Sequence, residues 1–123
     1  MNKIKIKIGE IEVEGEIFET ELGKKIIEKL PFNSITNLWG EEIYFEINVD
    51  EKIKEGVKEV KKGDIGYWPI GKCMCLFFGP TPISYEGKII PASEVEIVGK
   101  ITEGIEKLKK VKEGEKIVVE KNQ

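Results

Sequence analysis

The residues able to do chemistry in this chain are carboxylates, two cysteines and a cluster of aromatics, since the 123 residues include neither histidine nor arginine. Without histidine there is no imidazole base, no His metal ligand and no Ser-His or Cys-His nucleophile pair. A general base must then be a carboxylate, and Glu42, Glu46 and Asp64 are the candidates for proton transfer. The plainer reading of Glu41, Glu42 and Glu46 is a row of solvated strand side chains forming an acidic rim. Cys73 and Cys75 stand two apart in Cys-Met-Cys, which in a strand directs both thiols to one face. Two thiols do not complete a four-ligand zinc site, and a disulfide across so short a loop is strained. They read as small buried hydrophobes, and neither a metal nor another cofactor is expected. Gly63-Asp64-Ile65-Gly66 lacks the Lys-Ser/Thr of a phosphate loop, so nucleotide chemistry is unsupported.

The aromatics concentrate mid-chain at Trp39, Tyr44, Tyr67, Trp68, Phe77, Phe78 and Tyr85. Large inward residues of a barrel account for such a cluster, and so does an aromatic concavity that takes a small ligand or a proline-bearing peptide. Pro69 and Gly71 place Tyr67 and Trp68 next to a loop at a barrel rim.

The elements that position these groups follow from periodicity. Ile4, Ile6 and Ile8 alternate with lysines, and Ile11, Val13 and Ile17 with glutamates, giving a hairpin with one wet face. Thr20 caps a short helix carrying Leu22, Ile26, Ile27 and Leu30, which Pro31 stops. Ile43, Phe45, Ile47 and Val49 share one strand face with polar residues opposite. Residues 50–62 are a lysine- and glutamate-rich excursion around Ile53, Val57 and Val60, closed by a Gly63-Asp64 turn. Residues 73–78, Cys-Met-Cys-Leu-Phe-Phe, are apolar on both faces, so this strand is covered on both sides or one face lines a pocket. Gly79-Pro80-Thr81-Pro82 breaks it, a strand follows from Val95, Ile105, Leu108 and Val111 predict a helix, and Ile117 to Val119 a last strand. One mostly β domain over residues 1–123 is expected, a closed barrel of about eight strands capped by two short helices.

Composition narrows the partners. All 20 basic residues are lysines, and at a net charge of -3 they are interleaved with glutamates, leaving no basic stripe for nucleic acid. The Lys/Glu bias with a single glutamine, Gln123, is the pattern of a thermophile protein. No apolar run approaches the ~18 residues of a membrane span and the opening strand is no signal peptide, so a cytoplasmic protein without a membrane partner is expected.

The order of motifs resembles the cyclophilins. Leu76-Phe77-Phe78-Gly79 is similar to that family's Gln-Phe-Phe-Ile strand, Ser84-Tyr85-Glu86-Gly87-Lys88 to its Trp-Leu-Asp-Gly-Lys loop, Val98-Gly99-Lys100-Ile101 to its Phe-Gly-Lys-Val strand, and Thr102-Glu103-Gly104-Ile105 to its following helix. Residues 37–45 and 63–69 resemble the small prokaryotic cyclophilin-like barrels, a group without a settled activity. The resemblance implies the barrel and sets the family's prolyl isomerase activity in question. The family's catalytic arginine lies in a Phe-His-Arg-Val-Ile strand, and the best counterpart is Ile43-Tyr44-Phe45-Glu46-Ile47, with Glu46 in or beside the arginine's place. X-Pro rotation faces a barrier of ~18–20 kcal/mol, lowered by donation to the proline nitrogen, and a carboxylate has no proton to donate. The family's pocket tryptophan falls on Ser84, its glutamine on Leu76 and its histidine near Val95, while the second phenylalanine is kept as Phe78.

A peptide- or small-ligand-binding module is therefore expected, with a pocket drawn from Phe78, Met74, Trp68, Tyr67, Tyr85 and Glu46. In this reading Phe77, Cys73 and Cys75 form the packed face of their strand and Phe78 is partly open. The alternatives are a weak prolyl isomerase, an enzyme with a Glu or Asp base, and a homo-oligomer built on the apolar strand face.

Overall fold

The computed structural model describes residues 2–122. A single ten-stranded sheet curls into a nearly closed barrel with strand order β3-β10-β1-β2-β9-β7-β8-β5-β4, and the two-residue β6 pairs with β9. The strands are β1 (Asn2–Ile8), β2 (Ile11–Ile17), β3 (Phe32–Ile35), β4 (Asn37–Leu38), β5 (Glu42–Glu46), β6 (Gly56–Val57), β7 (Asp64–Trp68), β8 (Cys73–Phe77), β9 (Val95–Glu103) and β10 (Lys116–Lys121). The mostly β barrel is as expected, with ten strands where about eight were legible. No helix among the described residues is long and apolar enough to cross a membrane.

Alternation decides the faces. Ile4, Ile6 and Ile8 of β1 are fully buried in the barrel, and they join Val13, Ile17, Ile43, Phe45, Ile65, Val98, Ile117 and Val119 in one core. The helix α1 (Glu21–Glu28) starts where Thr20 Oγ1 accepts from the Gly23 N–H at 3.0 Å, and it lays Leu22 and Ile26 onto that core. The expected second helix is a 3₁₀ helix over Ile105–Lys110. Ile105, Leu108 and Val111 recur every three residues, the period of a 3₁₀ turn, which sets Leu108 and Val111 into the core and leaves Ile105 partly buried against it.

The sheet's two edges, β3 and β4, are consecutive pieces of chain joined at Thr36, so one short stretch closes the barrel. Thr36 is fully buried. Its Oγ1 lies 3.1 Å from the carbonyls of Lys112 and Glu115 and accepts from the Glu115 N–H at 3.0 Å. Its backbone donates to the Glu115 carbonyl and accepts from the Gly114 N–H. These bonds tie the seam to the turn that precedes β10.

A second, smaller core lies on the outer face of the sheet. Cys73, Cys75 and Phe77 of β8 meet Val60, Ile89 and Val95 there. They are covered by residues 79–94, which have no regular structure but fold back as a flap. Thr81 and Ser84 hold this flap together: Ser84 Oγ accepts from the Thr81 and Ile90 N–H groups, and Thr81 Oγ1 donates to the Ile90 carbonyl. The Val60 N–H, donating to the Ile89 carbonyl at 2.9 Å, fastens the flap to the rest of the molecule.

Candidate functional site

Register fixes which side chains the flap meets. In the antiparallel pairing of β5 with β8, Glu42 opposes Phe77, Tyr44 opposes Cys75 and Glu46 opposes Cys73, all on the outer face. β7 adds Gly66 and Trp68 to that face, opposite Cys75 and Cys73. Ile43, Phe45, Ile65, Tyr67, Met74 and Leu76 point the other way, into the barrel. The expected division of β8 is thereby corrected, because both of its faces are packed. Phe78 is only 5% exposed within the barrel core, and Met74 and Tyr67 are fully buried there. Tyr67 spends its hydroxyl on structure, donating to the Val49 carbonyl at 2.6 Å and accepting from the Glu51 N–H.

Where the flap does not reach the sheet, a cavity of about 270 Å³ remains, lined by Trp39, Glu42, Tyr44, Trp68, Cys75 and Val95 together with Pro91 and Ala92 of the flap. Of the expected pocket residues, Trp68 is in it. Glu46 is exposed at the far end of β5, and Tyr85 is 55% exposed on the flap beneath the Lys88 ammonium. Among the carboxylates expected to act as a base, only Glu42 reaches the cavity. Asp64 instead caps its own turn, accepting from the Lys61 N–H at 2.8 Å.

Each wall has a local cause. Trp39 and Glu42 face one another across a two-residue turn between β4 and β5, exchanging backbone hydrogen bonds of 3.0 and 3.2 Å. Gly40 takes the positive φ of 61° this turn requires, and a Cβ there would lie within 3 Å of Pro80 and Thr81 backbone atoms. Trp68 is fixed by Nε1–H donation to Ser93 Oγ at 2.6 Å and meets the Tyr44 ring edge-on, with centroids 6.2 Å apart. Gly71 lies flat against its indole, where a Cβ would come within 2.5 Å of the ring.

Glu42 is the chemical anomaly of the site. It is 6% exposed, and its Oε1 has no hydrogen-bond partner. Burial pushes its carboxyl up to about 7, opposed in part by the adjacent Cys75 thiol. The other buried carboxylates are provided for: Glu96 accepts from the Lys54 N–H at 2.9 Å, and Glu16 faces the Lys100 ammonium at 3.7 Å.

Burial raises Cys73 to about 11 and Cys75 well above the usual thiol range, with Glu42 adding repulsion to both. Both are free thiols, and no group of three or more metal-binding side chains occurs among the described residues. Neither cysteine is therefore expected to react with a bulky thiol reagent near neutral pH until the protein opens. Stoichiometric labelling of the native protein within seconds, followed by mass spectrometry, is the result that contradicts this.

A cyclophilin-like family model matches residues 2–120. The chain belongs to the cyclophilin-like family. Its fold is also that of the hypothetical protein AF2241 from Archaeoglobus fulgidus, whose solution structure superposes with a TM-score of 0.82. That protein is 41% identical, over 98% of this chain and 95% of the other. No curated protein matches the chain at a significant level. Within this cyclophilin-like barrel Leu76 and Phe78, the residues matched to the family's glutamine and second phenylalanine, point inward, while Cys75 and Phe77 hold the outer positions. Val95, matched to the family's pocket histidine, does line the cavity, and Ser84 serves the flap instead. Trp39, Pro91 and Ala92 were missed as site residues. The signal for Trp39 was its place before Gly40, which sets it across a tight turn from Glu42.

Proposed function

We propose that this cyclophilin-like chain is a small-ligand-binding module without competent prolyl isomerase catalysis, and that its ligand occupies the cavity between the flap and β5, β7 and β8. The observation that carries the reading is a concave site of aromatic and aliphatic walls lined by one buried carboxyl, Glu42, whose Oε1 has no hydrogen-bond partner and whose neighbour is the neutral Cys75 thiol. A larger groove of about 780 Å³ runs beside α1, but it is open and lined by surface charges that pair with one another, Lys25 with Glu51 and Lys54 with Glu21. Such exposed pairs are the ordinary dress of a solvated surface. A small-molecule fragment screen read by NMR tests the assignment. Hits should shift the indole N–H signals of Trp39 and Trp68, and hits confined to the α1 groove overturn it.

The absence of arginine supports the second half of the reading. On Ala-Pro peptides the protein is expected to fall orders of magnitude short of the ~10⁷ M⁻¹s⁻¹ of an efficient enzyme, since only shape and desolvation remain to lower the barrier. A protease-coupled assay reaching that range contradicts the proposal.

A second reading has its own observation. A carboxyl held at about 7 in a dry pocket is suited to take up and release protons at neutral pH, so Glu42 could serve as a general acid or base. Turnover of a bound fragment, lost in Glu42→Gln, is what favours that reading over simple binding.

A further inference from the structure

We propose that the cavity takes a small organic cation of the alkylated ammonium class, with Trp39, Tyr44 and Trp68 around the charged head and Glu42 as its counter-ion; this rests on the cavity being the ligand site.

Among the described residues the other buried carboxylates have a positive or N–H partner, whereas Glu42 has only the neutral Cys75 thiol and its Oε1 has no partner at all. A ligand cation provides the missing charge. Tryptophan and tyrosine rings attract cations through their negative π-faces, an attraction that strengthens in a site shielded from water. All the ionisable lining groups, Glu42, Tyr44 and Cys75, are acids, and no lysine lines the cavity of this lysine-rich protein. The neighbouring charges are negative too, with Glu113 acting on Tyr44 from one side and Glu46 on Cys73 from the other. The field at the cavity therefore favours positive charge.

Shape selects among cations. About 270 Å³ suits a headgroup-sized ligand rather than a nucleotide. Glu42 Oε1 is enclosed, so it presents charge more readily than an open hydrogen-bonding edge, and Pro91, Ala92 and Val95 complete an apolar rim. Methyl groups on the nitrogen fit that rim, whereas a bare ammonium would lose its hydration without full replacement.

The proposal fixes a pH dependence. A cation needs Glu42 ionised, and burial keeps its carboxyl near 7, so binding must expel a proton at acid pH. Tyr44, Cys73 and Cys75 are all shifted upward and stay neutral through this window. Affinity should rise as pH increases through 7 and then level off.

The test titrates the protein with choline and with its uncharged shape analogue 3,3-dimethylbutan-1-ol, into the millimolar range, by tryptophan fluorescence and calorimetry at pH 5.5 and pH 8. Choline should bind at least about tenfold more tightly than the alcohol at pH 8, and about tenfold more weakly at pH 5.5 than at pH 8. Glu42→Gln, checked for folding by its NMR spectrum, should lose both the preference and the pH dependence while still admitting the alcohol. Equal binding of the two probes, or affinity that falls as pH rises because a protonated Glu42 donates to the ligand, overturns the cation assignment and leaves the cavity as a site. Silence from both probes while fragments still shift Trp39 and Trp68 also overturns the assignment alone. Silence from both probes and fragments removes the assignment together with the ligand-binding reading.

Discussion

Phe77→Ala and Phe78→Ala should each cost about 3–5 kcal/mol of stability, although the two rings never share a core. Phe77 is fully buried on the outer face with Val60, Ile89 and Val95, and its ring lies 3.3 Å from where a Cβ on Gly66 would stand. Phe78 is 5% exposed and belongs to the barrel core with Met74 and Leu76. Truncating either ring leaves a cavity that strands pinned by backbone pairing on both sides cannot fill. The variants should differ in where they loosen. The Phe77 variant should expose residues 79–94 to proteases, because the flap packs on that side, and the Phe78 variant should not. Urea denaturation measures the cost, and a Phe78→Ala penalty clearly below 2 kcal/mol would show that its ring is not a core element.

Glu42 should make this protein less stable at pH 8 than at pH 5, by about 3 kcal/mol at most. The unfolded chain gives up the Glu42 proton near 4.5, the folded chain only near 7. Between those values the folded state holds more protons than the unfolded state, so stability falls as pH rises and is lowest above 7. The figure follows from 1.36 kcal/mol per pKa unit applied to the difference between 4.5 and about 7. Glu42→Gln has nearly the same shape and no charge to bury. It should melt about 10 °C higher than the parent at pH 8 and close to it at pH 5. Thermal unfolding of both proteins across this range checks the claim, and parallel curves would show that Glu42 reaches water when it ionises.

How much of this was legible depended on whether a segment had one wet face. β1, β2 and β5 alternate, so their inward residues and the barrel itself could be read from sequence, as could α1 from Thr20 and Pro31. β8 offers no such cue. With Cys73, Met74, Cys75, Leu76, Phe77 and Phe78 all apolar, nothing in the strand says which face looks inward, and only its pairing with β5 decides. The resemblance placed Phe78 at a pocket by similarity of letters, whereas its ring is buried in the barrel core. The flap was opaque for another reason. It is held by Thr81, Ser84 and Ile90, contacts with no period, and it brings Pro91 and Ala92 against residues far off in sequence. Glu42 could be named as a possible base, but nothing in the run Glu41, Glu42 and Glu46 marks it as the buried one; its place opposite Phe77 and beside Cys75 comes from the pairing of β5 with β8.

The seam at Thr36 bears on the order in which the molecule is made. β10 lies between β1 and β3, so during synthesis both strands lack a lateral partner on that side until the other strands of the barrel and then β10 have followed. The β1–β2 hairpin can form early, but Ile4, Ile6 and Ile8 then wait on an open ribbon for Ile117 and Val119. Pairings so distant in sequence pay a large loop-closure entropy before any contact returns it. Nascent chains of this barrel thus pass through a stage with two bare sheet edges, the state in which strands recruit one another between molecules. The alternating lysines of β1, Lys3, Lys5 and Lys7, put like charges along that waiting edge, so two such ribbons repel where β1 meets β1.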